Sequence, residues 1–179
     1  MKNKIFLIGI PGSGKTTLGR RTADILQIPF FDTDIMAQNN IGEVSIADIV
    51  RPSLSMSYVK EQLKAIALIA EMNTSALVAT CAEVALMPKC ITHMNNIGYI
   101  IHIKRDPEII VEFIRNNEQQ KLMLRNETTG TELVMQEEAV RLYAKEISEY
   151  NRVANLTLDN NGTEDEGVEK LKYLIEKLI

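Results

Sequence analysis

The chain has little of what marks a secreted or membrane-embedded protein. It contains only two cysteines, Cys81 and Cys90, too few for a disulfide framework, so we expect a cytoplasmic protein with both thiols reduced. No apolar run approaches the roughly 20 residues that a membrane-spanning helix needs. The apolar run near the start, Ile5 to Ile10, is also too short for a secretory signal.

The chain also lacks an excess of positive charge. Lys and Arg together number 20 against 24 Asp and Glu, which gives a formal net charge of −4. A broad nucleic-acid-binding face is normally basic, so this balance argues against one but still permits a local cationic pocket. We therefore expect no nucleic acid and no membrane among the partners of this protein.

Internal repeats and low-complexity tracts are absent as well. The 179 residues suit one domain, and a hydrophobic content of 45% with 25% charged residues is that of an ordinary globular protein. A chain of this length can bury a core without disulfide or metal staples. We expect residues 1–179 to form a single domain that is a monomer or a weak dimer.

Short apolar segments alternate with helical patterns along the chain. Alternation of this kind is typical of a parallel sheet with helices on both faces, so the expected fold is a three-layer α/β/α domain with a five-stranded parallel sheet. The predicted helices cover residues 15–26, 45–72 (interrupted near Pro52), 106–115, 132–150 and 164–178. The predicted strands are Ile5–Ile10, Pro29–Phe31, Ala76–Ala79, Gly98–Ile103 and Ala154–Leu158.

A polar segment over residues 116–131 interrupts this alternation. It is long for a simple connection and contains the breaker cluster TTGT at residues 128–131. A long polar segment beside a ligand site is often a closing loop. The segment is therefore a candidate lid over the active site.

The most specific motif is the sequence GIPGSGKT over residues 9–16, which satisfies G-x-x-x-x-G-K-S/T at every fixed position. Backbone N–H groups must approach phosphate oxygens closely, so side chains are excluded at Gly12 and Gly14. A buried strand precedes the motif and an amphipathic helix follows it, whose N-terminus favours an anion. Lys15 is expected to reach the outer phosphates and the Thr16 hydroxyl to bind Mg²⁺.

Two carboxylates follow the second predicted strand, in Asp32-Thr33-Asp34. The carboxyl ends of parallel strands line the ligand crevice of a doubly wound sheet. One aspartate could hold Mg²⁺ through water while the other orients or deprotonates an acceptor hydroxyl. The alternative is that one of them, or Thr33, only caps the following helix.

A weaker pattern comprises Cys81, Cys90 and His93. Their spacing fits no common zinc motif and a fourth ligand is not evident, so we interpret them as two ordinary thiols and a surface histidine. A reactive thiol at Cys81 is an alternative, but a small packing residue is favoured there.

These segments resemble the shikimate kinase family of P-loop proteins. The opening carries the resemblance, through residues 9–17, the sequence LGR at 18–20 and FDTD at 31–34; residues 77–80 and 150–154 extend it more weakly over nearly the whole chain. The resemblance implies transfer of phosphate from ATP, with Mg²⁺, to a cyclic hydroxy acid. It implies that ATP is held by Gly12, Ser13, Gly14, Lys15, Thr16 and Thr17.

The same resemblance assigns further roles. Thr16 and Asp32 would serve the metal, and Asp34 would meet the acceptor hydroxyl. Arg115 matches a family arginine that packs against adenine. Lys121 stands near a lid arginine that reaches the phosphates.

The chain departs from the family at the acceptor site. The family's glycine triplet is replaced by Cys81-Ala82-Glu83. A family arginine after strand two has no match in residues 56–59, which read MSYV, and another, four residues before Tyr150, corresponds to Glu146. The arginines grip the acceptor's carboxylate, so we expect a small-molecule acceptor that is not shikimate and is neutral or cationic. The alternative is that Arg51, Arg141 or Arg152 replaces them.

Three functions fit the sequence. The first is a small-molecule kinase in which Lys15, Mg²⁺ and a lid cation balance the transferred phosphate while Asp34 positions the hydroxyl. The second is a non-catalytic or regulatory ATP-binding protein, favoured by the altered acceptor turn but not by Asp34, which binding alone does not require. The third, a nucleoside monophosphate kinase, needs arginines for a second phosphate, and residues 35–75 offer only Arg51.

Overall fold

A parallel sheet forms the centre of the molecule. The computed structural model describes residues 2–41, 56–116 and 147–178. Five strands are hydrogen-bonded in the order β2-β3-β1-β4-β5, and every neighbouring pair is parallel. The predicted five-stranded parallel sheet is therefore confirmed. The strands are β1 (Lys4–Ile8), β2 (Phe30–Asp32), β3 (Ala76–Ala79), β4 (Gly98–Lys104) and β5 (Leu156–Asp159).

Helices connect these strands and cover both faces of the sheet. None of them, within the described ranges, is long and apolar enough to cross a bilayer. A short 3₁₀ helix, Ala82–Leu86, follows β3. The α-helices are α1 (Lys15–Leu26), α2 (Thr33–Ile41), α3 (Met56–Ala70), α4 (Pro88–Ile97), α5 (Pro107–Asn116), α6 (147–153) and α7 (Glu164–Glu176).

Alternate side chains of β1 enter two separate cores, as expected for a strand buried on both faces. Ile5 and Leu7 face the core formed with α1 and α7, which contains Leu18, Val168 and Leu171. The other core holds Phe6 and Ile8 with side chains from α3, α4 and α6, namely Ile66, Ile69, Met94, Tyr150 and Val153. The sheet is thus covered on both sides, which gives the three predicted layers.

Several details differ from the sequence prediction. The helices α2 and α4 and the 3₁₀ helix were not predicted, because they are short and polar residues interrupt any apolar stripe, as in the sequence QNN within α2. Ile25 of α1 is 49% exposed, because the buried stripe of this helix runs through Leu18, Gly19, Thr22 and Ala23. Of the predicted lid over 116–131 and the predicted helix over 132–150, residues 117–146 lie outside the described residues.

His102 on β4 links the sheet to α6. Its buried ring stacks on Tyr150 with a centroid separation of 5.2 Å, and Nδ1 lies 3.1 Å from Oδ1 of Asn151. Burial lowers the pKa of His102, the contact with Asn151 opposes this, and the charges of Lys104 and Lys15 lower the pKa further. The folded protein therefore favours the neutral imidazole.

We predict that His102 makes the fold less stable in mild acid. As pH falls from 7 to 5, His102 in the unfolded chain gains a proton near the usual histidine pKa of about 6.5. In the folded chain His102 gains its proton only at lower pH, because its pKa is lowered. The free energy of unfolding should therefore fall, and His102→Phe should remove about 1 kcal/mol of that fall. Urea titrations at both pH values measure the difference.

A matched control is His93→Phe, because His93 is exposed on α4. This variant should keep the pH dependence of the wild-type protein. Parallel stability curves for the wild-type and His102→Phe proteins would contradict the assigned role of the buried imidazole.

Candidate functional site

The carboxyl ends of all five parallel strands lie at one edge of the sheet. Residues 9–16 follow β1, Asp32 ends β2, and Cys81 stands just beyond β3. Arg105 follows β4 and Asn160 follows β5. This is the edge at which doubly wound sheets bind ligands, and the topology alone brings these five segments together.

Three glycines give the loop over residues 9–16 its shape. Gly9, Gly12 and Gly14 have φ values of 143°, 78° and 102°, in a region that only glycine adopts readily. A Cβ at Gly9 would lie 2.6 Å from the carbonyl oxygen of Ile103, so no side chain fits there. The helix α1 begins immediately afterwards, at Lys15. The loop and the helix N-terminus together form a cradle suited to an anion, as predicted.

The Lys15 side chain lies folded against this loop. Its Nζ donates hydrogen bonds to the carbonyl oxygens of Gly9 at 2.6 Å and Ile10 at 3.2 Å. Burial lowers the pKa of Lys15, while negative charge on Asp34 first, and then on Cys81, Asp32 and Glu83, raises it. The ammonium therefore stands among the predicted metal and acceptor residues, where a polyphosphate would offer it stronger acceptors than carbonyls.

Thr16 and Asp32 meet as predicted. The Thr16 hydroxyl donates to Oδ2 of Asp32 at 2.9 Å, and the backbone N–H of Asp34 donates to Oδ1 of Asp32 at 3.0 Å. Asp32 therefore caps α2 with one oxygen, as the alternative interpretation expected, and faces Thr16 with the other. A hydroxyl and a carboxylate side by side are hard oxygen ligands that fit Mg²⁺.

Asp34 is held by a residue that the sequence prediction missed. The amide of Gln62, on α3, donates to Oδ1 of Asp34 at 3.1 Å and lies 3.4 Å from the carbonyl oxygen of Thr33. Gln62 is fully buried. A fixed partner limits the rotation of the Asp34 carboxylate, as the predicted contact with an acceptor hydroxyl would require.

The turn after β3 carries the residues that replace the family's glycines. Cys81 is buried and precedes the 3₁₀ helix that contains Ala82 and Glu83. The Tyr150 hydroxyl on α6 donates a short hydrogen bond to the carbonyl oxygen of Ala82. The Thr80 hydroxyl bonds to the carbonyl oxygen of Leu7 at 2.9 Å. Hydrogen bonds thus connect the turn both to β1 and to α6. The negative charge of Glu83, on this turn, raises the pKa of Lys15.

Among the remaining predicted basic residues and Glu146, only Arg152 has a side chain in the part of the chain that the structure describes. Arg152 is exposed and forms an ion pair with Glu149 at 2.7 Å. The backbone of Arg115 lies in α5, but its side chain is not among those described. Lys121, Glu146, Arg51 and Arg141 lie outside the described residues.

Two further residues that the sequence prediction missed contact the phosphate loop. Nη1 of Arg105 donates to the carbonyl oxygen of Gly12 at 3.0 Å, and Nδ2 of Asn160 donates to that of Ser13 at 2.8 Å. Neither residue belongs to a recognisable local motif. Their position directly after β4 and β5 is the one signal that could have identified them.

Comparison with known proteins supports the geometry. The sequence profile described as "Shikimate kinase" matches residues 11–176. The shikimate kinase of Caldanaerobacter subterraneus is 30% identical over 159 residues, covering 89% of this chain and 86% of that protein. The Clostridium botulinum shikimate kinase is 28% identical over 181 residues, covering 98% of each.

Solved structures agree on the fold. The shikimate kinase from Acinetobacter baumannii, in complex with shikimate, matches with a TM-score of 0.78 at 19% identity, covering 99% of this chain and 95% of that chain. The Bacteroides thetaiotaomicron shikimate kinase gives a TM-score of 0.80 at 20% identity, covering 97% and 98%. With a phosphate loop of the expected shape and a family match along nearly its whole length, this chain belongs to the shikimate kinase family of P-loop kinases.

Proposed function

We propose that the protein transfers the γ-phosphate of ATP to a hydroxyl of a small molecule that is neutral or cationic and is not shikimate. One observation carries the proposal: the turn after β3 carries the carboxylate of Glu83 where the family has a glycine, at the edge of the sheet that also holds Asp32 and Asp34, so the acceptor side of the site gains an acid. Because like charges repel in a partly desolvated site, an anionic acceptor would bind poorly here.

The residues of the phosphate loop would bind and orient the nucleotide. Ser13, Gly14 and Thr17 would direct polar groups of the loop and of the first turn of α1 at the phosphates. The Lys15 ammonium would leave the Gly9 carbonyl for a phosphate oxygen and offset its charge. Outside the described side chains, we assign Arg115 to the adenine and Lys121 to the phosphates.

Thr16 and Asp32 would hold Mg²⁺, which would neutralise part of the charge of the phosphates. Asp34, fixed by Gln62, would accept a hydrogen bond from the acceptor hydroxyl and orient it for in-line attack. Cys81, Ala82, Glu83 and Glu146 would line the acceptor pocket, with Cys81 as a small packing residue. These assignments divide the site between the nucleotide and its acceptor.

The missing arginines support the exclusion of shikimate. Losing one partner of a buried arginine–carboxylate pair costs about 2–5 kcal/mol of binding. Arg152 does not offer a replacement, because it is exposed and paired with Glu149. The acceptor turn also carries the Glu83 carboxylate in place of a glycine. Each of these features disfavours an acceptor that carries a carboxylate.

A regulatory nucleotide-binding role is the second candidate. The observation that favours it is the buried Cys81 and the 3₁₀ helix at the acceptor turn, which take up space that glycines would leave open. The contact between Gln62 and Asp34 favours the kinase instead, because a protein that only binds a nucleotide has no need of an oriented acceptor carboxylate. Turnover separates the two candidates.

We predict slow or absent phosphorylation of shikimate and faster turnover of an uncharged or amine-bearing alcohol. The acidic acceptor side should repel the carboxylate of shikimate and tolerate a hydroxyl on a neutral polyol or an amino alcohol. Coupled measurement of ADP release with Mg·ATP and a panel of these compounds tests the prediction. Turnover of shikimate at about one per second or faster would overturn it.

The matched control for that panel is Asp34→Asn. This isosteric change keeps the shape beside Gln62 and removes the acceptor for the hydroxyl proton, so acceptor-stimulated turnover should fall by about 100-fold or more. Nucleotide affinity should change little. Tight ATP binding by the wild-type protein without any stimulated turnover would favour the regulatory candidate.

We also predict that Asp32→Asn weakens binding of Mg·ADP by about tenfold, because the change removes a charged metal ligand and keeps its shape. Affinity for ADP in excess EDTA should not fall. Isothermal titration in both buffers gives the comparison, with Asp24→Asn, an exposed aspartate of α1, as the control. Equal losses in the two buffers would contradict the assignment of Asp32 to the metal.

A further inference from the structure

Two side chains hold the phosphate loop by its carbonyl oxygens. Arg105, directly after β4, donates to the carbonyl oxygen of Gly12 at 3.0 Å. Asn160, directly after β5, donates to the carbonyl oxygen of Ser13 at 2.8 Å. We call this pair, Arg105 and Asn160, the loop clamp. It contacts two successive peptide groups of the loop.

Asn160 is built firmly into the fold. Its side chain is only 5% exposed, and its backbone N–H donates to the carbonyl oxygen of Lys104 at 2.8 Å. A Cβ at Gly14 would lie 2.6 Å from Nδ2 of Asn160, and a Cβ at Gly167 would lie 2.5 Å from Oδ1. The amide therefore fits between two glycines, one in the loop and one on α7. A side chain held this closely keeps one orientation.

Because the peptide bond is planar, the hydrogen bond from Asn160 to the Ser13 carbonyl also orients the N–H of the next residue. In a trans peptide the C=O and N–H groups point in opposite directions, so fixing the Ser13 carbonyl also fixes the N–H of Gly14. That N–H is therefore directed away from Asn160. By contrast, the N–H of Ser13 is already bonded to the carbonyl oxygen of Ile10 at 3.1 Å.

The loop needs such restraint because its glycines permit other orientations. Gly12 and Gly14 have φ values of 78° and 102°, and glycine visits positive and negative φ with similar ease. A peptide group between two such residues can rotate unless its carbonyl is held. If a backbone amide becomes ordered only when the phosphate binds, the entropy lost in ordering it reduces the net binding free energy, and affinity is lower.

Arg105 adds charge to the same restraint. Its guanidinium is a cation that lies against the loop through its hydrogen bond to Gly12. The Nε atom is buried and has no hydrogen-bond partner among the described residues. A fixed cation here raises the positive potential of the loop and favours a polyphosphate.

We propose that Arg105 and Asn160 are positioning residues that orient the peptide groups of the phosphate loop and so set the affinity for the polyphosphate part of the nucleotide. They act through the carbonyl oxygens of Gly12 and Ser13. The nucleoside part of the ligand contributes to the affinity through other contacts, which these two residues do not affect. The proposal rests on the nucleotide binding proposed above and extends it to residues that touch the loop from β4 and β5.

Binding of Mg·ADP and of adenosine by the purified protein tests the loop clamp. Asn160→Ala removes a donor and frees the Ser13–Gly14 peptide, so the Kd for Mg·ADP should rise about tenfold. Adenosine carries no phosphate, so its Kd should change by less than about twofold. Arg105→Ala should act in the same way, and Arg105→Lys, which keeps a charged donor, should recover part of the lost affinity.

The matched control is Asn3→Ala. Asn3 also donates its amide to a carbonyl, that of Asn73 at 3.3 Å, but at the opposite edge of the sheet. Its binding constants should equal those of the wild-type protein. Thermal melting checks that each variant is folded, and Arg105, which is partly exposed, provides the test if Asn160→Ala does not fold.

The outcomes separate this proposal from the proposed function. Loss of Mg·ADP affinity with adenosine affinity retained supports the clamp. Equal losses for both ligands indicate a general structural role and overturn it, as does unchanged affinity for Mg·ADP. A wild-type protein that binds no Mg·ADP overturns the proposed function and the clamp together.

Discussion

The start of helix α1 is the constraint on which the rest of the site depends. The chain leaves β1 buried in the middle of the sheet and must turn sharply before Lys15, which the positive φ values of Gly12 and Gly14 allow. That turn leaves the N–H groups of the first helical turn unpaired, and an anion satisfies them. The other residues of the site, such as Asp32 and Arg105, lie around this helix start, where they could contact a bound anion or the loop that holds it.

The order of the strands explains how the work is divided. Because β1 is central, β3 and β2 lie on one side of it and β4 and β5 on the other. Asp32 and the turn at Cys81 therefore meet the loop from one side, where the acceptor is proposed to bind. Arg105 and Asn160 meet it from the other side and hold its carbonyl oxygens. The loop is thus held from the β4–β5 side, and the proposed acceptor residues lie on the β3–β2 side.

Sequence reasoning recovered what is local and missed what is distant. The loop over residues 9–16 and the Asp32–Asp34 pair could be predicted because each is recognised from residues that are adjacent in the sequence. Gln62, Arg105 and Asn160 could not, since their partners lie 28, 93 and 147 residues away and no local pattern marks them. The missed helices α2 and α4 have the same cause, because tertiary packing rather than a clear apolar stripe stabilises them.

Charge balance gives the site its chemical character. Within the described side chains, Asp32, Asp34 and Glu83 act on Lys15, and a nucleotide polyphosphate would add more negative charge. A divalent cation held by Thr16 and Asp32 would offset part of that charge, and the guanidinium of Arg105 bonds to the loop at Gly12. An anionic acceptor would increase the remaining imbalance, whereas an ammonium group or a neutral hydroxyl would not. On the proposed assignment, the Glu83 carboxylate, which stands where the family has a glycine, would help to determine which alcohol can enter.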